Sequence, residues 1–351
     1  MFKVKILGAG SIGNHLANAS RHLGWVVHLY DKDEEALKRT RESIYPSRYG
    51  FFDEDIKLFA GTKSREVYDI IMVGTPPNSH IELAMEALLE KPKAILIEKP
   101  LTNLNNKNFE QFIKKINLTD TKIFIGYDHV VGDASNYLTK QLKSLNLEDL
   151  EFLDVEIKEH WQGIFNAHPW IKGPEDTYLG YYEQGGGACL EHSHGLNMWQ
   201  HIALSVGAGK IKKVSAYMSF NKFNGLNYDK FCSVNIETEN GLCGRLIQDV
   251  LTFPPSKKAI LQSKRGSYEW YCNFNKDGDR IVVKENGKTV DKMFKKNRPD
   301  DFINELKHIS YVIHNSKDQS PISINNGIET MKVIEAIFES DQKKKFVEVK
   351  Y

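Results

Sequence analysis

The sequence predicts an α/β protein, with an N-terminal doubly wound Rossmann-type domain and a C-terminal α+β domain that contains a large, mostly antiparallel sheet. Up to residue 128, short apolar runs alternate with amphipathic helical patterns, which is typical of βαβ units. Strand-like runs separated by Asn-Gly and Asp-Gly turns follow, and such turns favour hairpins. Because 351 residues are too many for one compact core, we expect two domains, 1–128 for a nucleotide and 129–351 for substrate and oligomerisation.

The apolar runs of the first domain are predicted to form a parallel sheet, because strands covered on both faces are apolar along their whole length. The predicted strands are 4–7, 26–30, 56–59, 70–73, 94–97 and 123–125. The helical patterns between them cover 12–23, 34–43, 81–89 and 105–116. Right-handed crossovers then place helices on both faces of the sheet.

The second domain begins with a predicted strand, which leads through an aromatic-rich loop to one predicted helix over 187–206. The predicted strands are 152–159, 212–220, 231–238, 242–252, 259–263, 267–272 and 280–284. Two helices, 299–315 and 326–340, and a short strand end the chain, and the C-terminal helix is a candidate to pack back on the first domain. Apolar residues in the strands at 212–220 and 231–238 exceed what one helix layer covers, so a homodimer or homotetramer through this sheet is expected.

Composition narrows the functional class. The 47 basic and 46 acidic residues give a net charge of +1, which argues against a nucleic-acid partner. The 4 cysteines form no C-x-x-C pair, which argues against a disulfide framework or a thiolate zinc site and suits a reducing compartment. The sequence shows no signal-peptide pattern and no apolar run long enough for a membrane helix. We therefore expect a cytoplasmic protein that binds no membrane.

A glycine motif predicts a dinucleotide site. Gly8, Gly10 and Gly13 form G-x-G-x-x-G between a predicted strand and helix, with Ser11 and Ile12 at the helix start, where free N–H groups bind phosphates. Asp31 ends the second strand, where a carboxylate accepts hydrogen bonds from ribose hydroxyls and repels a 2′-phosphate. NAD is therefore favoured over NADP, although Lys32 would tolerate the extra phosphate.

Two further turns lie at the carboxyl ends of strands, the edge at which open α/β sheets bind ligands. The fourth strand is followed by Thr75, Pro76, Asn78 and His80, which are predicted to border the cofactor; alternatively, the prolines only end the strand and Asn78 or Ser79 caps a helix. Glu98-Lys99-Pro100 follows the fifth strand and places Glu98 and Lys99 beside the nicotinamide. In the second domain, Gly185-Gly186-Gly187 is predicted to allow close approach of a ligand.

The predicted helix after these glycines carries Glu191, His194 and Asn197, whose spacing of three puts them on one face. The order of glycine loop, T-P-P-N-S-H, E-K-P, glycine triplet and histidine resembles the glucose–fructose oxidoreductase/inositol dehydrogenase (Gfo/Idh/MocA) family over nearly the whole chain. The resemblance implies NAD(P)-dependent oxidation or reduction of a sugar, cyclitol or sugar derivative. By position, it implies that Lys99 is the active-site lysine and His194 the catalytic histidine.

The sequence departs from the family at two points. Glu191 stands where many members have aspartate, and in some members that acid lies four residues before the histidine, where this chain has Leu190. Tyr127-Asp128-His129 replaces the more usual Asn-Arg. The loop Ala167-His168-Pro169-Trp170 resembles one branch of the family and is expected to line the substrate pocket, together with Tyr127 and Asn197.

The predicted mechanism follows from these residues. His194 accepts the hydroxyl proton as hydride leaves carbon, Lys99 stabilises the developing alkoxide, and Glu191 orients His194 or holds a neighbouring hydroxyl. The histidines show no His-x-x-x-His spacing, so no metal is expected. Two alternatives stay open: a hydrolase or epimerase that recycles bound NAD, and a non-catalytic dinucleotide-sensing protein.

Overall fold

The computed structural model describes residues 1–166, 168, 170–297, 299–315 and 319–351. The chain divides into two compact units, one made of Met1–Asp128 with Arg298–Ile324 and one made of His129–Asn297 with Asn325–Tyr351. The first boundary falls at the predicted residue, but the expected second domain 129–351 is interrupted by a segment that belongs to the first unit. Among the described residues, no helix is both long and apolar enough to span a membrane.

The first unit contains the predicted doubly wound parallel sheet. Its strands are β1 (Lys3–Leu7), β2 (Val26–Asp31), β3 (Lys57–Ala60), β4 (Ile70–Val73), β5 (Ala94–Ile97) and β6 (Lys122–Ile125). They lie in the order β3-β2-β1-β4-β5-β6 and all pair in parallel. The strand order reverses between β1 and β4, and the carboxyl ends of strands at such a point are where this architecture binds ligands.

The described part of the first unit also contains the α-helices α1 (Ser11–His22), α2 (Glu34–Arg39), α3 (Tyr45–Tyr49), α4 (His80–Leu89), α5 (Phe109–Ile116) and, late in the chain, α10 (Asp300–His314). The last of these packs against α1, which explains why its segment belongs to this unit. The helix predicted from residue 105 begins only at Phe109, and the positive φ of 56° at Asn105 excludes that residue from it. The helix predicted over 34–43 passes through a π-helical turn at Thr40–Ile44 into α3.

The second unit contains a nine-stranded sheet in the order β14-β13-β12-β11-β7-β10-β9-β8-β15. Its strands are β7 (Leu150–Lys158), β8 (Ile211–Asn221), β9 (Tyr228–Thr238), β10 (Cys243–Asp249), β11 (Ser256–Ser263), β12 (Gly266–Asn275), β13 (Gly278–Glu285), β14 (Lys288–Lys295) and β15 (Val347–Glu348). Only β7 and β10 pair in parallel, so the predicted, mostly antiparallel sheet is confirmed. The strand β14 was not predicted, because nearly all of its residues are exposed and no apolar alternation marks it.

One face of this sheet is covered by helices of the same unit. The helices are α6 (Asp133–Leu142), α7 (Gln162–Asn166), α8 (Gly187–Glu191), α9 (His194–Ser205) and α11 (Ile324–Lys343). Of these, α6 packs against β12 and β13, α8 against β9 and β10, and α9 against β7 and β10. The C-terminal helix α11 is held in the second unit, where Ser340 and Asp341 accept hydrogen bonds from the backbone of β8.

The single helix predicted over 187–206 is two helices. It breaks at His192, whose φ and ψ are −92° and 22°, and α9 begins at His194. The side-chain amide of Gln248 donates a hydrogen bond to the His192 carbonyl at this break. Glu191 and His194 therefore belong to different helices, and the predicted common face holds only for His194 and Asn197.

Candidate dinucleotide site and catalytic residues

The glycine loop after β1 combines tight packing with one open position. A Cβ atom on Gly13 would lie 1.8 Å from the Gly8 carbonyl oxygen, and one on Gly8, where φ is 104°, would lie 2.9 Å from the Gly74 oxygen. A Cβ atom on Gly10 would meet no described atom within 4 Å. Gly8 and Gly13 therefore serve the fold, whereas Gly10 borders open space at the start of α1.

The carbonyl groups of this loop are held by three side chains. The Ala9 oxygen accepts hydrogen bonds from Thr40 Oγ1 (2.9 Å) and Asn14 Nδ2 (3.2 Å), and Asn14 also donates to the Gly10 oxygen (2.8 Å). Arg48 donates to the Ser11 carbonyl (3.0 Å) and hydroxyl (2.8 Å). No described side chain caps the N-terminus of α1 and its first turn has no acid, so its N–H groups and dipole favour an anion.

Sequence reasoning missed these three residues. Asn14 lies one helical turn beyond Gly10, which is a weak local signal. Thr40 and Arg48 come from the segment after β2, and nothing in their local sequence marks them.

The second strand ends at the carboxylate expected there. Asp31 is half-buried, its Oδ2 atom accepts a hydrogen bond from the Ala9 N–H (2.7 Å), and its Oδ1 atom accepts one from the Asp33 N–H (2.9 Å). Asp31 thus supports the glycine loop and keeps a negative charge at the end of β2, while Lys32 is exposed.

The turn after β4 divides into exposed and buried residues. Pro76 and Asn78 are exposed, and Thr75 is half-buried with its hydroxyl 2.7 Å from that of Ser79. No described side chain caps α4, which does not support the expected capping role of Asn78 or Ser79.

The structure places His80 differently from the prediction that it binds the cofactor. Its ring is fully buried, with Nδ1 3.0 Å from the Pro100 oxygen and Nε2 2.7 Å from the Thr75 oxygen. Burial lowers the pKa of His80, and a neutral ring donates to only one of these carbonyls at a time. His80 therefore links the turns after β4 and β5 from the interior of the unit.

Glu98 and Lys99 follow β5 but differ in exposure. Glu98 is buried against Gly126, where a Cβ atom would lie 2.8 Å from Glu98 Oε2, and its contact with a cofactor stays a prediction. Lys99 is half-exposed at the carboxyl edge of the sheet. The adjacent strand leads to Tyr127, whose side chain is also buried.

A buried acid of α10 faces the same region of the first unit. Glu305 is fully buried, and neither carboxylate oxygen has a hydrogen-bond partner among the described residues. Burial, followed by the charges of Glu98, Asp128 and Asp301, raises the pKa of Glu305 well above its usual value. The protonated form of Glu305 is therefore favoured.

The second unit places His194 at the first position of α9. Its ring stacks on that of His129, with centroids 4.4 Å apart and an interplanar angle of 20°. The Cys272 sulfur lies 3.8 Å from His129 Nε2. The stacking of His129 was not predicted, because the two histidines are far apart in sequence.

The other residues predicted to contact the substrate differ in how deeply they are buried. Glu191 is half-buried and accepts a hydrogen bond from the Tyr178 hydroxyl (3.0 Å), whereas Asn197 is buried. His168 lies edge-on to Trp170, with ring centroids 5.2 Å apart, and Trp170 is 38% exposed. Ala167 and Pro169 lie outside the described residues.

Two glycines of the triplet, Gly186 and Gly187, contact their own chain, which does not support the expectation that they admit a ligand. A Cβ atom on Gly186 would lie 2.3 Å from the carbonyl oxygens of Tyr178 and Leu179. On Gly187, where φ is 85°, it would lie 2.0 Å from Asp229 Oδ1. The space that a ligand would need beside these two glycines is therefore filled by protein.

Comparison with known proteins identifies the first unit. Residues 2–127 match the model of the Gfo/Idh/MocA oxidoreductase family, described as having an NAD-binding Rossmann fold. No curated protein sequence matches the chain.

Solved structures share the fold of nearly the whole chain. A levoglucosan dehydrogenase in complex with NADH and L-sorbose has a TM-score of 0.79 at 15% identity, covering 99% of this chain and 98% of that one. A putative myo-inositol dehydrogenase from Sinorhizobium meliloti 1021 has a TM-score of 0.74 at 17% identity, covering 100% of both chains. The WlbA dehydrogenase from Bordetella pertussis, in complex with NADH and UDP-GlcNAcA, has a TM-score of 0.72 at 16% identity, covering 99% of both chains. The first unit is therefore similar to the NAD-binding Rossmann domain of the Gfo/Idh/MocA oxidoreductase family, over residues 2–127.

Proposed function

We propose that the protein is an NAD-dependent dehydrogenase or reductase acting on a CH–OH carbon of a sugar, cyclitol or sugar-derived substrate. The observation that carries the proposal is the glycine loop, whose carbonyl groups are held by Thr40, Asn14 and Arg48 while the N-terminus of α1 stays uncapped among the described residues. This arrangement suits the pyrophosphate of a dinucleotide. The similar structures include dehydrogenases with NADH and sugar ligands, which supports the substrate class.

The residues at this edge of the sheet fit NAD. Gly10, Ser11 and Ile12 would hold the pyrophosphate, and Asp31 would accept hydrogen bonds from the adenosine ribose. The carboxylate of Asp31 disfavours a 2′-phosphate, so we propose a preference for NAD over NADP. Thr75, Pro76 and Asn78 would border the cofactor, and Arg48 would add positive charge near the phosphates.

Three residues are proposed to act on the substrate: His194, Lys99 and Glu191. When bound, the nicotinamide supplies the carbon that accepts or donates hydride. His194 takes the hydroxyl proton, because a neutral imidazole nitrogen can accept a proton near neutral pH. Lys99 donates a hydrogen bond to the substrate oxygen, and Glu191 holds a neighbouring hydroxyl.

A substrate screen with four variants tests the proposal. NADH formation is followed across sugars, sugar acids and cyclitols with NAD and with NADP, for the wild type and for His194→Ala and Lys99→Ala. We expect His194→Ala to lower kcat by about 10²–10⁴-fold and Lys99→Ala by about 10²–10³-fold, with NADH affinity retained. His314→Ala and Lys114→Ala, at exposed positions, are the matched controls.

The screen also separates the alternatives. Full turnover by both site variants would show that the catalytic assignment is wrong. Product formation without net NADH release would indicate a hydrolase or epimerase that recycles its cofactor. NADH binding without turnover of any compound would indicate a sensor.

We also propose a cytoplasmic homodimer or homotetramer formed through the open face of the nine-stranded sheet. That face is more polar than expected, since ion pairs such as Arg245–Asp154 and Lys258–Glu156 cross it, but Phe152 and Tyr217 on it are 40% and 61% exposed. We expect Tyr217→Glu to reduce the oligomer mass measured by light scattering, and an unchanged mass would contradict this interface. The four free cysteines suit a reducing compartment, which cell fractionation would test.

A further inference from the structure

We propose that Asp229 and Gln248 position His194 by holding the two ends of α8, the short helix between the glycine triplet and His194. This inference rests on the proposed function, because that function makes His194 the proton acceptor. Neither residue is among the site residues predicted from the sequence. All of the contacts that support the inference lie within the second unit.

A β-bulge brings Asp229 to α8. In the pairing of β9 with β8, Phe231 opposes Ser219 while Asp229 opposes Phe220, so Lys230 is an extra residue. Strict alternation from buried Cys232 would put Asp229 on the opposite face of the sheet. With the extra residue, Asp229 is fully buried on the face that α8 covers. Bulges commonly re-aim a side chain in this way.

Asp229 fixes the start of α8. Its Oδ2 atom accepts a hydrogen bond from the backbone N–H of Cys189 at 2.8 Å. Its Oδ1 atom occupies the space that a side chain on Gly187 would need, 2.0 Å from the ideal Cβ position. The glycine and the aspartate therefore form one complementary contact, which determines where the helix begins.

Gln248 fixes the end of α8. It lies on β10, opposite Cys232 of β9, and is fully buried. Its side-chain amide donates to the His192 carbonyl, which also accepts the backbone N–H of Gly195 at 2.9 Å. This carbonyl is the junction between α8 and α9, two residues before His194.

These anchors matter because α8 is only 5 residues long. A helix of this length has little intrinsic stability, so its position comes from its neighbours. A displacement of about 1 Å at a catalytic group can cost on the order of 10²-fold in rate. Releasing either end of α8 is therefore expected to disturb His194 and its stacking on His129, without touching the glycine loop of the first unit.

The experiment compares Asp229→Ala, Asp229→Asn and Gln248→Ala with the control Asp249→Ala. Asp249 is a buried aspartate on the neighbouring strand, and the backbone N–H groups that it accepts, from Leu251 and Thr252 at 2.9 and 2.7 Å, do not belong to α8. With the best substrate of the screen, we expect Asp229→Ala and Gln248→Ala to lower kcat about 10–100-fold, with NADH affinity unchanged. Asp229→Asn should retain most of the rate, because burial already favours the neutral acid by raising the pKa of Asp229 and an amide oxygen can accept the Cys189 N–H.

A double variant distinguishes positioning from general damage. If Asp229 acts through His194, adding Asp229→Ala to His194→Ala should cause no further loss of rate. An equal fractional loss in both backgrounds, or the same loss in Asp249→Ala, would overturn the proposal. So would wild-type kcat in Asp229→Ala and Gln248→Ala while His194→Ala is inactive. Full activity of His194→Ala would instead refute the proposed catalytic role, and the positioning role with it.

If Asp229→Ala or Gln248→Ala does not fold, Asp229→Leu, which fills the space but cannot accept the Cys189 N–H, and Gln248→Met replace them. Gln248→Met keeps the length of the side chain but cannot donate to the His192 carbonyl. A thermal melt of each variant shows whether folding is retained. A kcat of Gln248→Met equal to that of the wild type would overturn the role of Gln248.

Discussion

The two glycine clusters of this protein use the missing side chain in different ways. In the first unit, Gly8 and Gly13 make room for neighbouring backbone, but Gly10 borders open space beside an uncapped helix N-terminus. In the second unit, the space beside Gly186 and Gly187 is filled by carbonyl oxygens and by Asp229. Gly10 of the first cluster leaves open space at a helix N-terminus, whereas Gly186 and Gly187 of the second leave room for the backbone and the side chain that pack against α8 and the residues before it.

The difference shows why a glycine-rich motif does not by itself identify a ligand site. The fold determines whether the space beside a glycine Cα atom is open or is filled by other atoms of the protein. Substitutions to alanine, which add one Cβ atom, can therefore test each position directly.

The largest effect is expected for Gly13→Ala. The added Cβ atom would lie 1.8 Å from the backbone oxygen of Gly8, which cannot move without separating α1 from β1. We expect a loss of unfolding free energy of about 3 kcal/mol or more, together with loss of NADH binding. Thermal denaturation measures the first and fluorescence titration the second; wild-type stability would contradict this packing.

Gly187→Ala should come next. The Cβ atom would clash with Asp229 Oδ1, and the positive φ of 85° is unfavourable for alanine. We expect kcat to fall about 100-fold while NADH affinity stays at the wild-type value, because the change disturbs α8. Steady-state kinetics test this. A variant whose only defect is weaker NADH binding would contradict the difference proposed between the two glycine clusters.

Gly10→Ala should have a smaller effect than Gly187→Ala. It should weaken NADH binding, whereas Gly187→Ala should lower kcat. Because its Cβ atom meets no described atom within 4 Å, the fold should keep its melting temperature. The methyl group would narrow the approach of a pyrophosphate, so we expect NADH affinity to fall about tenfold, or about 1.4 kcal/mol. Unchanged affinity would show that Gly10 does not border the bound dinucleotide.

The last comparison concerns stability and involves the buried acids of the two units. Asp229 accepts a backbone hydrogen bond, whereas Glu305 has no hydrogen-bond partner for its carboxylate among the described residues and faces Glu98, Asp128 and Asp301. The raised pKa of Glu305 means that its contribution to stability is complete below the pKa of the unfolded chain and is lost as pH rises through the folded pKa. We expect Glu305→Gln to be more stable than the wild type near neutral pH.

Melting temperatures measured from acidic to alkaline pH check this prediction. The advantage of Glu305→Gln should grow with pH above the ordinary glutamate pKa of about 4.3, by at most about 1.4 kcal/mol per pH unit, and then level off. Glu86→Gln, at an exposed position of α4, is the control. An advantage that does not change with pH would contradict the raised pKa of Glu305.

The first unit was largely predictable because its signals are local. Continuous apolar runs marked the parallel strands, and the spacing of Gly8, Gly10 and Gly13 with Asp31 marked the loop and the strand end that the structure brings together. The sequence did not predict where long-range packing places side chains: Glu98 and His80 follow neighbouring parallel strands, and both side chains are buried in the unit. The position of a residue in the sequence predicts that it lies in a turn, but not the direction in which its side chain points.

In the second unit, the hairpin turns and most strands were predictable, but the environment of the candidate histidine was not. The helix break at His192 depends on Gln248, and the start of α8 depends on Asp229, which reaches it only through the bulge at Lys230. No local pattern records these contacts, since each joins residues some 40 to 56 positions apart. The stacking of His129 on His194 is likewise a contact between distant segments.

The sequence alone determined the alternation of strands and helices, the dinucleotide loop and the placement of Lys99 at a strand end, because hydrophobic periodicity and glycine spacing are properties of neighbouring residues. The tertiary structure decided which glycine faces open space, which acid is buried without a partner and which side chains hold the segment before His194. These depend on the atoms that the folded chain brings into a given volume, and residues remote in sequence occupy that volume.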